Sequence, residues 1–231
     1  FFGWQPLFVM PAYTFDDPLK LLPYLALALV VAFGAKFYIL VFRKVDAVCR
    51  AWPLPVWVKP GVGGLLTGVM GFFLPQVLGS GYGVLQQALA VNSPLAERFG
   101  SLSLAMLLLI FVGKVFATSF TVGSGGSGGV FGPALVAGGA LGAATGLALT
   151  HLFPWLDLHP GAFAMVGMAG FLAASVRVPI AAIIMVSEIT GNHSLLLPSM
   201  WVCGIAYWLG NGWTLYRSQV RTRDCSPAHR G

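Results

Sequence analysis

The chain has 231 residues, of which 57% are hydrophobic and only 9% charged, with a mean hydropathy of +0.83. A soluble domain carries roughly 25% charged residues, so this chain cannot cover its surface with charge, and lipid must be the solvent for much of it. Lys and Arg number 13 against 7 Asp and Glu, a net charge of +6; the surplus fits the cytoplasmic loops of a membrane protein and also a field that favours an anionic solute.

Long apolar runs without period-two alternation argue against an outer-membrane barrel. Helices remain, because a helix satisfies its own backbone in lipid. Cys49, Cys203 and Cys225 are odd in number and lack metal spacing, so neither a disulfide framework nor a zinc site is expected. Cys203 sits in an apolar run and reads as a small core residue. His151, His159, His193 and His229 stand beside prolines or polar turns, with no ligand spacing between any two. No serine has the nearby His and Asp of a nucleophilic triad, so an enzyme is disfavoured, and no cofactor or metal is expected.

In chain order, residues 1–17 are rich in Pro and aromatics and end on Asp16-Asp17. They read as an extracellular loop at the interface, extended to residue 20 at the foot of the first span. The opening FFGWQPLFVMPAY lacks Met and a charged n-region, so it is not a signal peptide and the chain is expected to be a piece of a longer protein. Residues 21–42 form the first apolar span, in spite of Pro23 and Lys36. Arg43, Lys44, Arg50 and Lys59 mark a cytoplasmic stretch over 43–59. Residues 60–78 are a second, glycine-rich span, 79–100 a short helix between outer loops, and 102–122 a third span carrying Lys114. A helix is expected over 130–153. Residues 162–176, 180–189 and 195–209 are apolar but shorter than the ~20 residues a span needs. Helices that end inside the membrane are tolerated where they are buried in protein or line a cavity, and half-helix ends near the midplane are a habit of transport proteins. The tail, with Arg217, Arg221, Arg223 and Arg230, reads as cytoplasmic.

The stretch GSGGSGGVFGPALVAGGALG over 123–142 interrupts this apolar text with a polar, glycine-rich segment. Pro133 suits the first turn of a helix, where its missing N–H costs nothing. Val130, Phe131 and Gly132 then form the helix entrance, and their N–H groups have no intrahelical acceptor. The helix dipole adds about half a positive charge at that end. Orphan donors and dipole together make an anion site, which competes with a second reading of the glycines as a close-packing surface. For Gly138 to Gly146 the packing reading is preferred. A phosphate loop is disfavoured, because no Gly-Lys-Ser/Thr follows.

GVFGP at 129–133 carries a Gly-x-Phe-x-Pro pattern. With GSGYG at 79–83, AGFLAASVRVPIAAIIMVSEITGN at 169–192 and TLYRSQV at 214–220, in that order, it resembles the CLC chloride channel and chloride/proton exchanger family. The resemblance implies an all-α membrane fold of tilted, broken and partly spanning helices. Residues 1–231 would be the C-terminal half of its transmembrane domain, the second of two inverted repeats, with membrane helices over 21–216 and a cytoplasmic tail over 217–231. It implies chloride transport, as a voltage-gated-type channel or a chloride/proton antiporter. Chloride would be held by the N–H groups of Val130 and Phe131 and the hydroxyl of Tyr216. It further implies a multi-pass protein of the bacterial inner membrane, with lipid, chloride and protons as partners and no nucleic acid. A homodimer through helices around 180–209 would follow. Relatives specialised for fluoride typically lack the tyrosine, so Tyr216 speaks for chloride.

The family's serine loop and gating-glutamate loop do not occur here. Channel and exchanger therefore stay undivided, and a truncated half-fold that acts only as an assembly partner stays open beside transport. Glu188 is read as a buried partner for Arg177 or for helix-end amides. Lys114 invites a role in favouring the anion through its field, but is expected rather to reach toward water or pair with a carboxylate.

Overall fold

The computed structural model describes residues 6–9, 11, 13, 18–100 and 102–216, without the side chains of 98 and 99. All regular structure among them is helical: α1 Leu21–Ala51, α2 Val58–Phe73, α3 Tyr82–Leu89, α4 Ala96–Phe99, α5 Leu104–Gly123, α6 Phe131–Leu152, α7 Pro160–Val176, α8 Pro179–Thr190 and α9 Leu196–Leu209, with short 3-10 turns at Pro18–Lys20, Pro75–Val77 and Pro154–Leu156. Three helices, α1, α5 and α6, are long and apolar enough to cross a membrane, with mean hydropathies of 2.3, 2.0 and 1.4. The others fall short, α8 having 12 residues and α9 14.

α1 is longer than the apolar run suggests. It continues through Arg43 and Lys44 to Ala51, 31 residues in all, or about 46 Å at 1.5 Å per residue. That exceeds a ~30 Å hydrocarbon core. The extension mixes good helix formers (Arg43, Lys44, Ala47, Arg50 and Ala51) with weaker ones and is closed by an Asp46–Arg50 ion pair at 2.9 Å, one turn apart. It stops where Trp52 turns extended ahead of Pro53.

α7 is the axis of the fold. Pro160 through Ser175 are all buried, the pattern of a helix enclosed on every side. Its main partner is α6, and glycines set the closeness of that contact. A Cβ at Gly138 would sit 2.7 Å from the Gly167 carbonyl oxygen, and one at Gly142 2.3 Å from that of Phe163. Gly138, Gly142 and Gly146 recur every four residues, so one face of α6 is flat enough for backbone-to-backbone packing, and the packing reading of this stretch holds. α1 lies across both helices. Tyr24 stacks on Phe163 with ring centroids 4.5 Å apart, and Gly34 leaves room for Leu141 and Phe111.

The breaks between short helices are covalently prescribed. Arg177 ends α7 in the left-handed region, at φ 68°, and Val178 is held out of the helical region by Pro179. A non-glycine residue at such a φ needs support from its surroundings. Arg177 finds it on α9: its guanidinium lies 3.7 Å from the centre of the Tyr207 ring and donates to the Tyr207 carbonyl oxygen. Glu188 is not its partner. It is exposed, on the α8 face that also carries Ile180 and Ile184, which corrects the expected buried pair. At the N-terminal side, Tyr13 donates to the Leu89 carbonyl oxygen at 3.4 Å and stacks on His159. Burial pushes its phenol up to about 12.

Candidate anion-binding site

The glycine loop connects α5 to α6 and is held at its first half only. The Gly125 N–H donates to the Val122 carbonyl at 3.0 Å, and the Gly126 N–H to that of Thr121 at 3.0 Å. Gly125 takes φ 93°, which permits the sharp exit from α5. Beyond Gly126 the loop makes no further backbone bond to the described residues until the Ala134 N–H reaches the Val130 carbonyl at 3.1 Å. α6 begins at Phe131, with Val130 as its N-cap residue and no side chain capping it. The N–H groups of Val130, Phe131 and Gly132 thus have no protein acceptor among the described residues, and Pro133 has no N–H to satisfy. Val130 is buried at 8% exposure, whereas the Phe131 ring is 37% exposed. A Cβ placed on Gly129 or Gly132 would meet nothing within 4 Å, so open space faces the backbone here.

That space is a cavity of about 470 Å³. Gly128, Gly129, Gly132 and Pro133 form one wall, Thr67 and the Val77–Ser80 turn another, and Lys114, Thr118 and Thr121 a third. The hydroxyls are turned inward on their own helix. Thr118 donates to the Lys114 carbonyl at 2.8 Å and Thr121 to that of Ala117 at 2.8 Å, the local bond that makes hydroxyl residues tolerable in an apolar helix. Lys114, at 2% exposure, neither reaches water nor meets a carboxylate. Its Nζ donates to the Val77 carbonyl oxygen at 3.0 Å and the Gly79 carbonyl oxygen at 2.7 Å, correcting both expectations for it.

Tyr216 is placed from the other side of α7. The chain leaves α9 through a turn, and the Leu215 N–H donates to the Ser175 carbonyl at 3.0 Å, while Arg43 donates to the Thr214 carbonyl at 2.5 Å. These two tethers fix Tyr216, which is 45% exposed, near the buried phenol of Tyr38. Tyr216 does not line the glycine-loop cavity. The sequence reading missed two features: Lys114 as a cavity wall, and Tyr38, whose hydroxyl is buried without a hydrogen-bond partner among the described residues. A lone Lys in an apolar run signals the first; a Tyr in an apolar span gives no signal for the second. No group of three or more His, Cys, Asp or Glu able to hold a metal occurs among the described residues.

Broken helices around a fully enclosed central one, with an uncapped helix start opening on a cavity, define a membrane fold of transport type. The chain belongs to the family described as voltage gated chloride channel, whose profile matches residues 1–211. It is 38% identical over 184 residues to the H(+)/Cl(−) exchange transporter ClcA of Klebsiella pneumoniae (strain 342), covering 78% of this chain and 37% of that protein. It is 37% identical over 195 residues to the protein of the same name from Yersinia pestis bv. Antiqua (strain Angola), covering 81% and 38%. The chain thus spans well under half the length of these relatives. A slow cyanobacterial Cl−/H+ antiporter shares its fold at a TM-score of 0.76 and 23% identity, over 90% of this chain and 47% of that one. A CLC-type fluoride/proton antiporter does so at 0.72 and 23%, over 93% and 50%.

Proposed function

We propose that the protein to which this chain belongs moves chloride across a membrane in exchange for protons, and that this chain supplies one wall of the ion's path. The observation that carries the reading is the set of N–H groups at Val130, Phe131 and Gly132, left without acceptors among the described residues, with open space at Gly129 and Gly132 in an apolar body. An unsatisfied N–H away from water costs several kcal/mol, and a passing anion removes that cost. Partial charges hold an ion without trapping it, as conduction requires. Tyr216 adds a neutral O–H donor. The names of the ClcA relatives support the choice of chloride and of protons. No carboxylate among the described residues lines the cavity.

The same reading makes the protein a multi-pass resident of the bacterial inner membrane, paired as a homodimer through the region 180–209. The test is proton movement into liposomes that hold the complete protein under an imposed chloride gradient. Proton uptake driven by chloride efflux supports exchange. Chloride flux without proton movement turns the reading to a channel, and absence of both overturns it.

A further inference from the structure

α1 needs only residues 21–42, about 33 Å of helix, to cross a ~30 Å hydrocarbon core. Its last turns, from Arg43 to Ala51, and the corner into α2 therefore lie at headgroup depth. At that corner the Asp46 side chain is tucked in at 18% exposure, while its partner Arg50 stands out at 74%. The ion pair uses only the Arg50 Nε. A guanidinium has five N–H donors, so four remain on the two Nη atoms, without an acceptor among the described residues. Lys59, in the first turn of α2, reaches back and donates to the Arg50 carbonyl oxygen at 3.4 Å. Two cations thus stand against one carboxylate, and the group carries a net charge of +1. Between Arg50 and Lys59 runs Trp52-Pro53-Leu54-Pro55-Val56-Trp57. Val56 is 83% and Trp57 80% exposed, and Trp52 is exposed as well. Two of these six residues are prolines, which bring no N–H, and the Val58 N–H is taken by the Pro55 carbonyl at 3.0 Å. A loop with few free donors is cheap to set against lipid, and Trp beside basic residues suits the headgroup layer.

We propose that this corner is a docking site for one anionic phospholipid. The phosphodiester meets the Nη edge of Arg50, in the two-pronged geometry that a guanidinium offers to phosphate. The Lys59 ammonium stands on the same corner, with two of its three N–H groups lacking an acceptor among the described residues. The acyl chains lie along Val56 and Trp57. The single surplus positive charge matches the single negative charge of a phosphodiester, whereas a zwitterionic lipid brings a cation of its own that the corner repels. The site is independent of the anion reading of the α6 start, and no residue named there takes part in it.

The test is native mass spectrometry of the complete protein in detergent, titrated with phosphatidylglycerol and, separately, with phosphatidylcholine of the same chains. Retention of a phosphatidylglycerol in preference to phosphatidylcholine is expected. Its apparent dissociation constant should rise roughly thirtyfold when Arg50→Gln and Lys59→Gln remove both cations. Arg50→Lys, which keeps the charge and loses the fork, should recover only part of the affinity. Equal retention of the two lipids, or a phosphatidylglycerol preference that survives the double substitution, overturns the site. Displacement of the lipid by an equal concentration of glycerol 3-phosphate shows a soluble phosphate ligand and overturns the lipid assignment. Arg50 is exposed and its pair with Asp46 is a surface one, worth little to the fold, so the double variant should fold. Should it fail to, Trp57→Ala decides, because it leaves both charges in place: weakened phosphatidylglycerol binding supports the site, and an unchanged affinity overturns it.

Discussion

Tyr216 shows how far a single side chain's role can be separated from its place. The backbone just before it is held by two tethers, Leu215 to the Ser175 carbonyl and Arg43 to the Thr214 carbonyl, that do not involve its ring, and Tyr216 is 45% exposed. Removing the hydroxyl alone should therefore leave the fold intact. A neutral hydrogen bond contributes about 1 kcal/mol net, so Tyr216→Phe is expected to weaken chloride binding about fivefold in calorimetric titration of the complete protein, at unchanged thermal stability. An unchanged affinity would remove Tyr216 from the ion's path. Tyr38 stands close by with a buried hydroxyl lacking a partner among the described residues. The two phenols bring polar groups to a region whose other nearby walls, Phe42 and Phe171, are apolar.

Among the elements, α6 uses its glycines in two ways, and the two uses predict opposite behaviour. At Gly142 a Cβ would lie 2.3 Å from the Phe163 carbonyl oxygen and 3.0 Å from its carbonyl carbon; these are backbone atoms that cannot step aside. Gly142→Ala should push α6 from α7 and cost about 1–3 kcal/mol, the range for overpacking. At Gly132 a Cβ meets nothing within 4 Å, so Gly132→Ala should fold normally. Thermal melts in detergent compare the pair directly. Equal stability of the two variants would mean that α6 and α7 are not held by backbone-close packing. This division was legible in the sequence, because Pro133 marks a helix start and glycines spaced by four mark a packed face. The short helices α7, α8 and α9 were legible too, through Pro179 and the Thr190-Gly191 stop. What the sequence withheld was every relation between distant segments. Lys114 is bonded to carbonyls from a turn 35 and 37 residues earlier, and no periodicity encodes that pairing. Arg177 turned to α9 rather than to Glu188 because its left-handed backbone aims it at the Tyr207 ring. The extension of α1 past Phe42 was missed because charged residues were read as a loop, although Lys, Arg and Ala are good helix formers.

For the whole molecule the question is which apolar face meets lipid and which meets protein. Exposed apolar side chains crowd both α2, with Leu65, Val69, Phe72 and Phe73, and the α8–α9 pair, with Ile180, Ile184, Met200, Trp201 and Trp208. Area does not separate them, since lipid accepts either. Charge does. The exposed face of α2 is uniformly apolar along those positions, whereas the exposed line of α8 runs from Ile180 and Ile184 into Glu188. A carboxylate turned toward lipid costs up to ~3 kcal/mol; against protein it can find donors. The α8–α9 face is accordingly the one that should be covered by a second copy. In a membrane such an association rests on shape and packing, because lipid tails are as apolar as the side chains. Cutting back the knobs of that face should then weaken the pair strongly. Combining Ile180→Ala, Ile184→Ala and Trp208→Ala, at more than ~1 kcal/mol for each residue that matters, should shift the complete protein from dimer to monomer in detergent at micromolar concentration, measured by light scattering. Bromide at the Phe131 amides should persist in that monomer, because all three altered residues are exposed and none belongs to α6 or α7. A dimer untouched by the three substitutions would place the interface elsewhere, and the matching truncation of Phe72 and Phe73 on α2 would then be the one to dissociate it.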